Sequence, residues 1–223
     1  MKNNINNSKN KVFDIITENT VKNYQSRITS FDNWANSYES TNPAEIAREK
    51  LTTHINKKFN NDIRILDVGC GRDLFYFCQI KNIKKVVGIE PCLEFVDLAK
   101  KRCSESNLVK VIHSDICDDE LNIGKYNFEG VFCLASLFHI PLKKLDIAFK
   151  KIADSVVQNG FLLSTFPETN TTREQEMNDK RWSTSLSYED HIKYLNEVGF
   201  KEVERFKLKI YNGNWDTIIS IRL

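Results

Sequence analysis

The sequence predicts an α/β domain: a doubly wound, seven-stranded sheet, mostly parallel, with a C-terminal antiparallel hairpin and an N-terminal helical cap. Three observations carry this prediction. From residue 63 onward, short apolar runs alternate with stretches of helical spacing; the first run ends in a glycine turn; and the last two β-rich runs are joined by Tyr211-Asn212-Gly213-Asn214. Apolar runs without polar alternation mark strands buried on both faces, as in a parallel sheet. Asn-Gly between two such runs marks a tight hairpin.

The first dozen residues, Met1 to Val12, are polar and low in complexity. They are expected to be disordered, leaving residues 13–223 as one domain. Residues 13–60 read as a helical cap. Ile15, Ile16, Val21 and Tyr24 come first, then Phe31, Trp34, Ala35 and Tyr38 recur at spacings of three and four. Pro43 opens a further helix carrying Ile46, Leu51 and Ile55. The core, residues 63–223, begins with a strand from Ile63 to Val68. A helix over Leu74 to Ile80 and a strand over Val86 to Ile89 follow, then a helix over Leu93 to Cys103 and a strand over Val109 to His113. Gly130 to Leu134 is the fourth strand. Leu142 to Val157 is a helix with Leu145, Ala148, Phe149 and Ile152 on its inner face, closed by Gly160, and Phe161 to Phe166 is the fifth strand. Glu168 to Lys180 is polar and reads as a loop or lid. Tyr188 to Glu197 is a helix stopped by Gly199, and Glu202 to Ile210 with Trp215 to Arg222 form the hairpin. There is no internal repeat.

A length of 223 residues with 41% hydrophobic side chains suffices for one sizeable core. Thirty-two basic and thirty acidic residues leave a net charge of only +2, which gives no electrostatic footprint for nucleic acid or an anionic membrane. Cysteines 70, 78, 92, 103, 117 and 133 are scattered singly, without the close ligand pairs of a zinc site, so no metal is expected. Met1 to Asn10 lacks the apolar stretch of a secretory signal, and no apolar run approaches the ~20 residues of a membrane span. Unpaired thiols in such a chain point to a cytoplasmic location.

The residues suited to chemistry cluster at strand ends. Ile65-Leu66-Asp67-Val68-Gly69-Cys70-Gly71-Arg72-Asp73 runs a buried strand into a glycine turn ahead of a helix. Glycines there permit tight backbone geometry and close approach of a ligand. Leu74 stands where a dinucleotide fingerprint needs its third glycine. The flanking Asp67 and Asp73 repel a pyrophosphate and favour a cationic ligand. Glu90, followed by Pro91, ends the second strand 19 residues past Gly71, where a carboxylate can accept two hydrogen bonds from a ribose diol. Asp115 ends the third strand, placed to accept from an adenine amino group while Ile116 packs on the ring. Acids at three successive strand ends converge on the crevice where open sheets bind ligands.

Together these residues resemble the class I, Rossmann-like S-adenosylmethionine-dependent methyltransferases, from about Phe31 to the C-terminus. The family's glycine motif matches Asp67, Gly69 and Gly71, with Cys70 between; its ribose acid matches Glu90, beside Pro91; its adenine-side acid and neighbour match Asp115 and Ile116. Phe31-Asp32-Asn33-Trp34-Ala35-Asn36-Ser37-Tyr38 is similar to the segment that caps the cofactor pocket in many small-molecule members, which makes Tyr38 a cofactor contact. Asp73 departs from the family's third glycine. The resemblance implies S-adenosylmethionine as cofactor, S-adenosylhomocysteine as product, and a small-molecule acceptor with an oxygen or nitrogen nucleophile. An RNA or protein methyltransferase and a non-catalytic S-adenosylmethionine-binding protein are the competing readings. The oligomeric state is left open.

After the fourth strand, Leu134-Ala135-Ser136-Leu137-Phe138-His139-Ile140-Pro141 corresponds to the family segment that passes beneath the sulfonium, with Leu134 on the cofactor side. His139 can act there as a general base, as a substrate hydrogen-bonder or as a structural contact. Tyr24, Trp34 and Tyr38 can wall the sulfonium or simply pack a helix onto the sheet. The N-terminal helices and residues 168–184 are expected to close over the acceptor. His54 and His191 read as helix-surface residues, and His113 as a strand-end residue without a partner.

Overall fold

The computed structural model describes residues 18–26, 42–71, 74–210 and 213–223. A short helix, α1, spans residues 18–26. Then come α2 (Pro43–Lys58), β1 (Ile63–Val68), a 3-10 segment (Leu74–Gln79), β2 (Ile83–Glu90), α3 (Leu93–Arg102) and β3 (Val109–His113). The second half holds β4 (Phe128–Cys133), a 3-10 turn (Leu137–His139), α4 (Leu142–Ser155), β5 (Val156–Pro167), β6 (Arg173–Glu176), β7 (Trp182–Ser185), α5 (Tyr188–Glu197), β8 (Phe200–Ile210) and β9 (Gly213–Arg222). The expected tail over residues 1–12, most of the cap around Phe31 to Tyr38, and Arg72-Asp73 lie outside the described residues.

The main sheet has seven strands in the order β3-β2-β1-β4-β5-β9-β8. β1 pairs in parallel with β2 and β4, β2 with β3, and β4 with β5; β9 then inserts antiparallel between β5 and β8. The order reverses between β1 and β4, so their carboxyl ends open a crevice at the switch point. Two half-buried ion pairs, each a solvent-accessible arginine on a buried carboxylate, fix strands in register. Arg64 forks onto Glu129 across β1 and β4, with Nη2 donating at 2.6 Å and Nε at 3.1 Å, and the Arg64 main-chain N–H also donates to Glu129. Arg205 meets Asp216 in the same bidentate way across β8 and β9.

The helices form where the spacing predicts and end where capping dictates. Asn42 caps α2 by accepting from the Ala44 N–H at 3.0 Å, Pro43 occupies the first turn, and Ala47, Leu51 and Ile55 make one fully buried face against β4 and β5. Gly130 in β4 permits that approach: a Cβ there would collide with Ile55 Cδ1 and stand 2.9 Å from Ile65 Cδ1. Ser187 caps α5 by accepting from the Asp190 N–H.

Several local expectations are corrected. Leu74–Gln79 is a 3-10 segment, short and aromatic, in which the Phe75 and Tyr76 rings lie tilted at 33° with centroids 4.0 Å apart. α4 ends at Ser155, two residues before Val157 and ahead of Gly160; the β-branched Val156 and Val157 already run as strand. The stretch 168–180 contains β6, which pairs antiparallel with β7 as a separate two-stranded ribbon. His191 is buried rather than on a helix surface, with Nε2 2.7 Å from Ser164 Oγ. His54 is half-buried against Glu204 at 2.8 Å, and His113 Nε2 lies 3.0 Å from the Pro91 carbonyl.

Replacing Gly130 with valine should destabilise the fold by about 1–3 kcal/mol through overpacking between α2 and β1. Urea unfolding monitored by circular dichroism measures this, and an unchanged midpoint would mean that Ile55 can shift without cost.

Candidate functional site

The glycine turn after β1 is lashed to the end of β2: the Gly69 and Cys70 N–H groups both donate to the Ile89 carbonyl, at 2.8 and 3.1 Å. Gly69 and Gly71 take left-handed φ values of +68° and +52°, which glycine adopts without strain. A Cβ on Gly69 would stand 2.5 Å from Ser136 Cβ, while no atom of the described residues lies within 4 Å of one on Gly71.

Glu90 completes this turn. Its Oε2 accepts from the Gly71 N–H at 2.8 Å and its Oε1 from the Cys92 N–H at 2.9 Å. Burial pushes its carboxyl up to about 7, against the pull of those two donors. Asp115, just past β3, accepts from the Cys117 N–H at 2.7 Å. Asp67 is buried at the carboxyl end of β1.

One cavity lies along these strand ends. Of the residues singled out in the sequence, Gly69, Pro91, Asp115, Ile116 and His139 line it. Glu90 and Gly71 reach the same turn through their mutual hydrogen bond. Cys70 instead points at β2, where its Sγ would stand 2.6 Å from a Cβ on Gly88, and burial raises its thiol well above the ordinary range. Leu134 packs against the hydrophobic core. Tyr38 lies outside the described residues.

The cavity has further walls. Thr20 and Val21 come from α1, Ser136 from the turn after β4, and Lys144 from α4. Val21 and Ser136 stand in segments the sequence had singled out, whereas Thr20 and Lys144 carry no motif and reach the cavity only through long-range packing. The polar β6–β7 ribbon enters the same way. The Trp182 main-chain N–H donates to Thr20 Oγ1 at 3.1 Å, and Asn23 Nδ2 donates to the Asp179 carbonyl at 2.6 Å.

His139 sits at the centre of this junction. Its Nδ1 is 2.6 Å from the Trp182 carbonyl, which can only accept, so Nδ1 carries the proton. Nε2 then accepts from the Tyr24 hydroxyl at 2.5 Å, and the Tyr24 oxygen in turn accepts from Arg181 Nη1 at 3.1 Å. Arg181 is paired with Asp179 at 2.8 Å. Burial, reinforced by the Arg181 charge, lowers the imidazole to about 3, although the Trp182 carbonyl favours its charged form. His139 is thus a neutral imidazole with both nitrogens engaged.

A family model described as a methyltransferase domain matches residues 66–164, the span holding the glycine turn, Glu90, Asp115 and His139. Those residues carry a methyltransferase domain. No curated protein matches the sequence of this methyltransferase. Among solved structures it is similar to 1,6-didemethyltoxoflavin-N1-methyltransferase of Burkholderia thailandensis, solved with 1,6-didemethyltoxoflavin and S-adenosylhomocysteine, with a TM-score of 0.70 and 14% identity over 91% of this chain and 87% of that one. It is similar also to the N-methyltransferase NodS of Bradyrhizobium japonicum, solved with S-adenosylhomocysteine (TM-score 0.64, 16% identity, 90% and 98% covered). A third is magnesium protoporphyrin IX methyltransferase of Synechocystis, solved with bound S-adenosylmethionine (0.65, 15%, 92% and 97%). Identities this low show a shared fold. No helix among the described residues of the methyltransferase is long and apolar enough to cross a membrane.

Buried histidines give this methyltransferase a defined acid limb. His191, like His139, is lowered to about 3 by burial. The unfolded chain, titrating near ~6.5, therefore binds more protons between about 3 and 6.5, and stability falls as the pH drops through that window. His191→Gln should flatten the fall in melting temperature between pH 6.5 and 4, the accessible part of the window. An acid limb identical to that of the parent protein would show that His191 is already charged when folded.

Proposed function

We propose that this chain transfers the methyl group of S-adenosylmethionine to an oxygen or nitrogen of a small-molecule acceptor and releases S-adenosylhomocysteine. The observation that most supports this reading is Glu90, a desolvated carboxylate held against the Gly71 N–H at the sheet's switch point. Its two backbone bonds leave lone pairs on both oxygens for a ribose diol. Asp115 and Ile116 suit the adenine, with Pro91 beside them. The backbone of Gly69, Cys70 and Gly71 accommodates the methionine part near Asp67, and Leu134 lies below.

When bound, the cofactor supplies an already activated methyl group on a positive sulfur, so the protein's task is to align an in-line displacement and exclude water. α1 and the β6–β7 ribbon serve that task by covering the crevice. His139 suits a positioning role better than proton removal, since each ring nitrogen is committed to a hydrogen bond. Enclosure by α1 and the near-neutral net charge favour a small acceptor over RNA. Two of the solved neighbours, named for 1,6-didemethyltoxoflavin and for magnesium protoporphyrin IX, fit that choice.

Calorimetric titration with S-adenosylmethionine, S-adenosylhomocysteine and NAD tests the reading. Both sulfur ligands should bind and NAD should not. Glu90→Ala should weaken binding roughly 10- to 100-fold, the worth of hydrogen bonds to a charged acceptor. Because the carboxyl titrates at about 7, affinity should also fall as the pH is lowered from 8 to 6. A preference for NAD, or no binding of either sulfur ligand, would overturn the assignment.

A further inference from the structure

Two opposite charges line the cavity, Asp115 from just past β3 and Lys144 from the first turn of α4. Both are tied to Cys117. Its N–H donates to Asp115 Oδ1 at 2.7 Å, and its thiol donates to the Lys144 carbonyl at 3.7 Å. Ile116 and Cys117 line the cavity with them. Lys144 therefore belongs to the corner of the cavity formed by Asp115 and Ile116.

Lys144 stands there against the local rules of helix formation. The N-terminus of a helix carries a partial positive charge, which favours acidic side chains in the first turn. α4 has no acid in that turn, no side-chain cap from Pro141, and two successive lysines, Lys143 and Lys144. Glu174 of β6 makes up part of the deficit by accepting from the Leu142 N–H at 2.8 Å. The two lysines differ in setting: Lys143 is exposed, whereas Lys144 is half-buried and lines the cavity. Residues that break local rules concentrate at functional positions.

An ammonium only donates hydrogen bonds and a carboxylate only accepts them. Adenine offers the matching groups side by side: an amino group that donates, flanked by the ring nitrogens N1 and N7, which accept. Resting on the reading of this cavity as the S-adenosylmethionine site, we propose that Lys144 is a second adenine-recognition residue. Its ammonium donates to a ring nitrogen flanking the amino group that Asp115 takes. The two side chains, on different elements, then read adjacent atoms of one base, and the charge that is unfavourable to α4 is retained for the ligand.

The test titrates full-length protein calorimetrically with S-adenosylhomocysteine, adenosine, 1-deazaadenosine and 7-deazaadenosine, using the parent chain, Lys144→Met and Lys143→Met. Methionine keeps most of the side-chain length and removes the charge. Lys144→Met should weaken S-adenosylhomocysteine and adenosine alike, each about tenfold, as expected for losing a hydrogen bond from a charged donor. The penalty of one of the two deaza analogues should be smaller in Lys144→Met than in the parent by about the same factor, the signature of a direct contact. Lys143→Met, which removes an exposed charge from the same turn, should leave every affinity unchanged. Weakened S-adenosylhomocysteine with unchanged adenosine would place Lys144 on the homocysteine carboxylate. Unchanged affinity for both would place it outside the cofactor site, and deaza penalties equal in parent and variant would separate it from the ring nitrogens. Each of these outcomes, or an equal loss in Lys143→Met, overturns the proposal. Failure of the parent chain to bind S-adenosylhomocysteine would instead overturn the reading of the cavity on which it rests.

Discussion

One carboxylate organises the site. Glu90 ends β2 with both oxygens turned inward, one holding the Gly71 N–H and the other the Cys92 N–H that leads into α3. The Ile89 carbonyl beside it receives the Gly69 and Cys70 N–H groups. The β1 turn, the end of β2 and the start of α3 are thereby fixed to one another by four hydrogen bonds within a few residues. Such an arrangement leaves a charged group poorly solvated, which is why its proton affinity rises.

The cap is held by a different kind of force. α1 reaches the core through polar contacts: Thr20 to β7, Asn23 to the Asp179 carbonyl, Tyr24 to His139, and Gln25 to Glu94 of α3. Each is worth about 1 kcal/mol net. Tyr24 adds an apolar contact, packing edge-on against Phe95 of α3 with ring centroids 6.2 Å apart. His139 joins the two layers, which explains why a histidine in a segment read as catalytic carries its hydrogen bonds to a tyrosine and a backbone carbonyl.

Elsewhere the polar interior is structural. Ser164 and His191 bind α5 to β5, and the Arg64–Glu129 and Arg205–Asp216 forks set neighbouring strands against each other. None of these lines the cavity. They show that in this fold a buried histidine or an ion pair is as much a device for register as a sign of chemistry.

The sequence by itself determined the seven-stranded sheet and the acid-rich glycine turn, because both rest on local rules: apolar runs, the period of helices, the special conformations of glycine, and the placement of Asp67, Glu90 and Asp115 at strand ends. It did not determine the 3-10 form of Leu74–Gln79, the β6–β7 ribbon or the burial of His191, since each depends on neighbours far away in the chain. Residues 168–180 read as a loop because a two-stranded ribbon with few apolar side chains has no periodic signature. The tertiary structure alone decided what surrounds His139. Tyr24 is 115 positions away from it and Trp182 is 43, and no pattern in the sequence links residues whose only relation is that folding places them within hydrogen-bond distance.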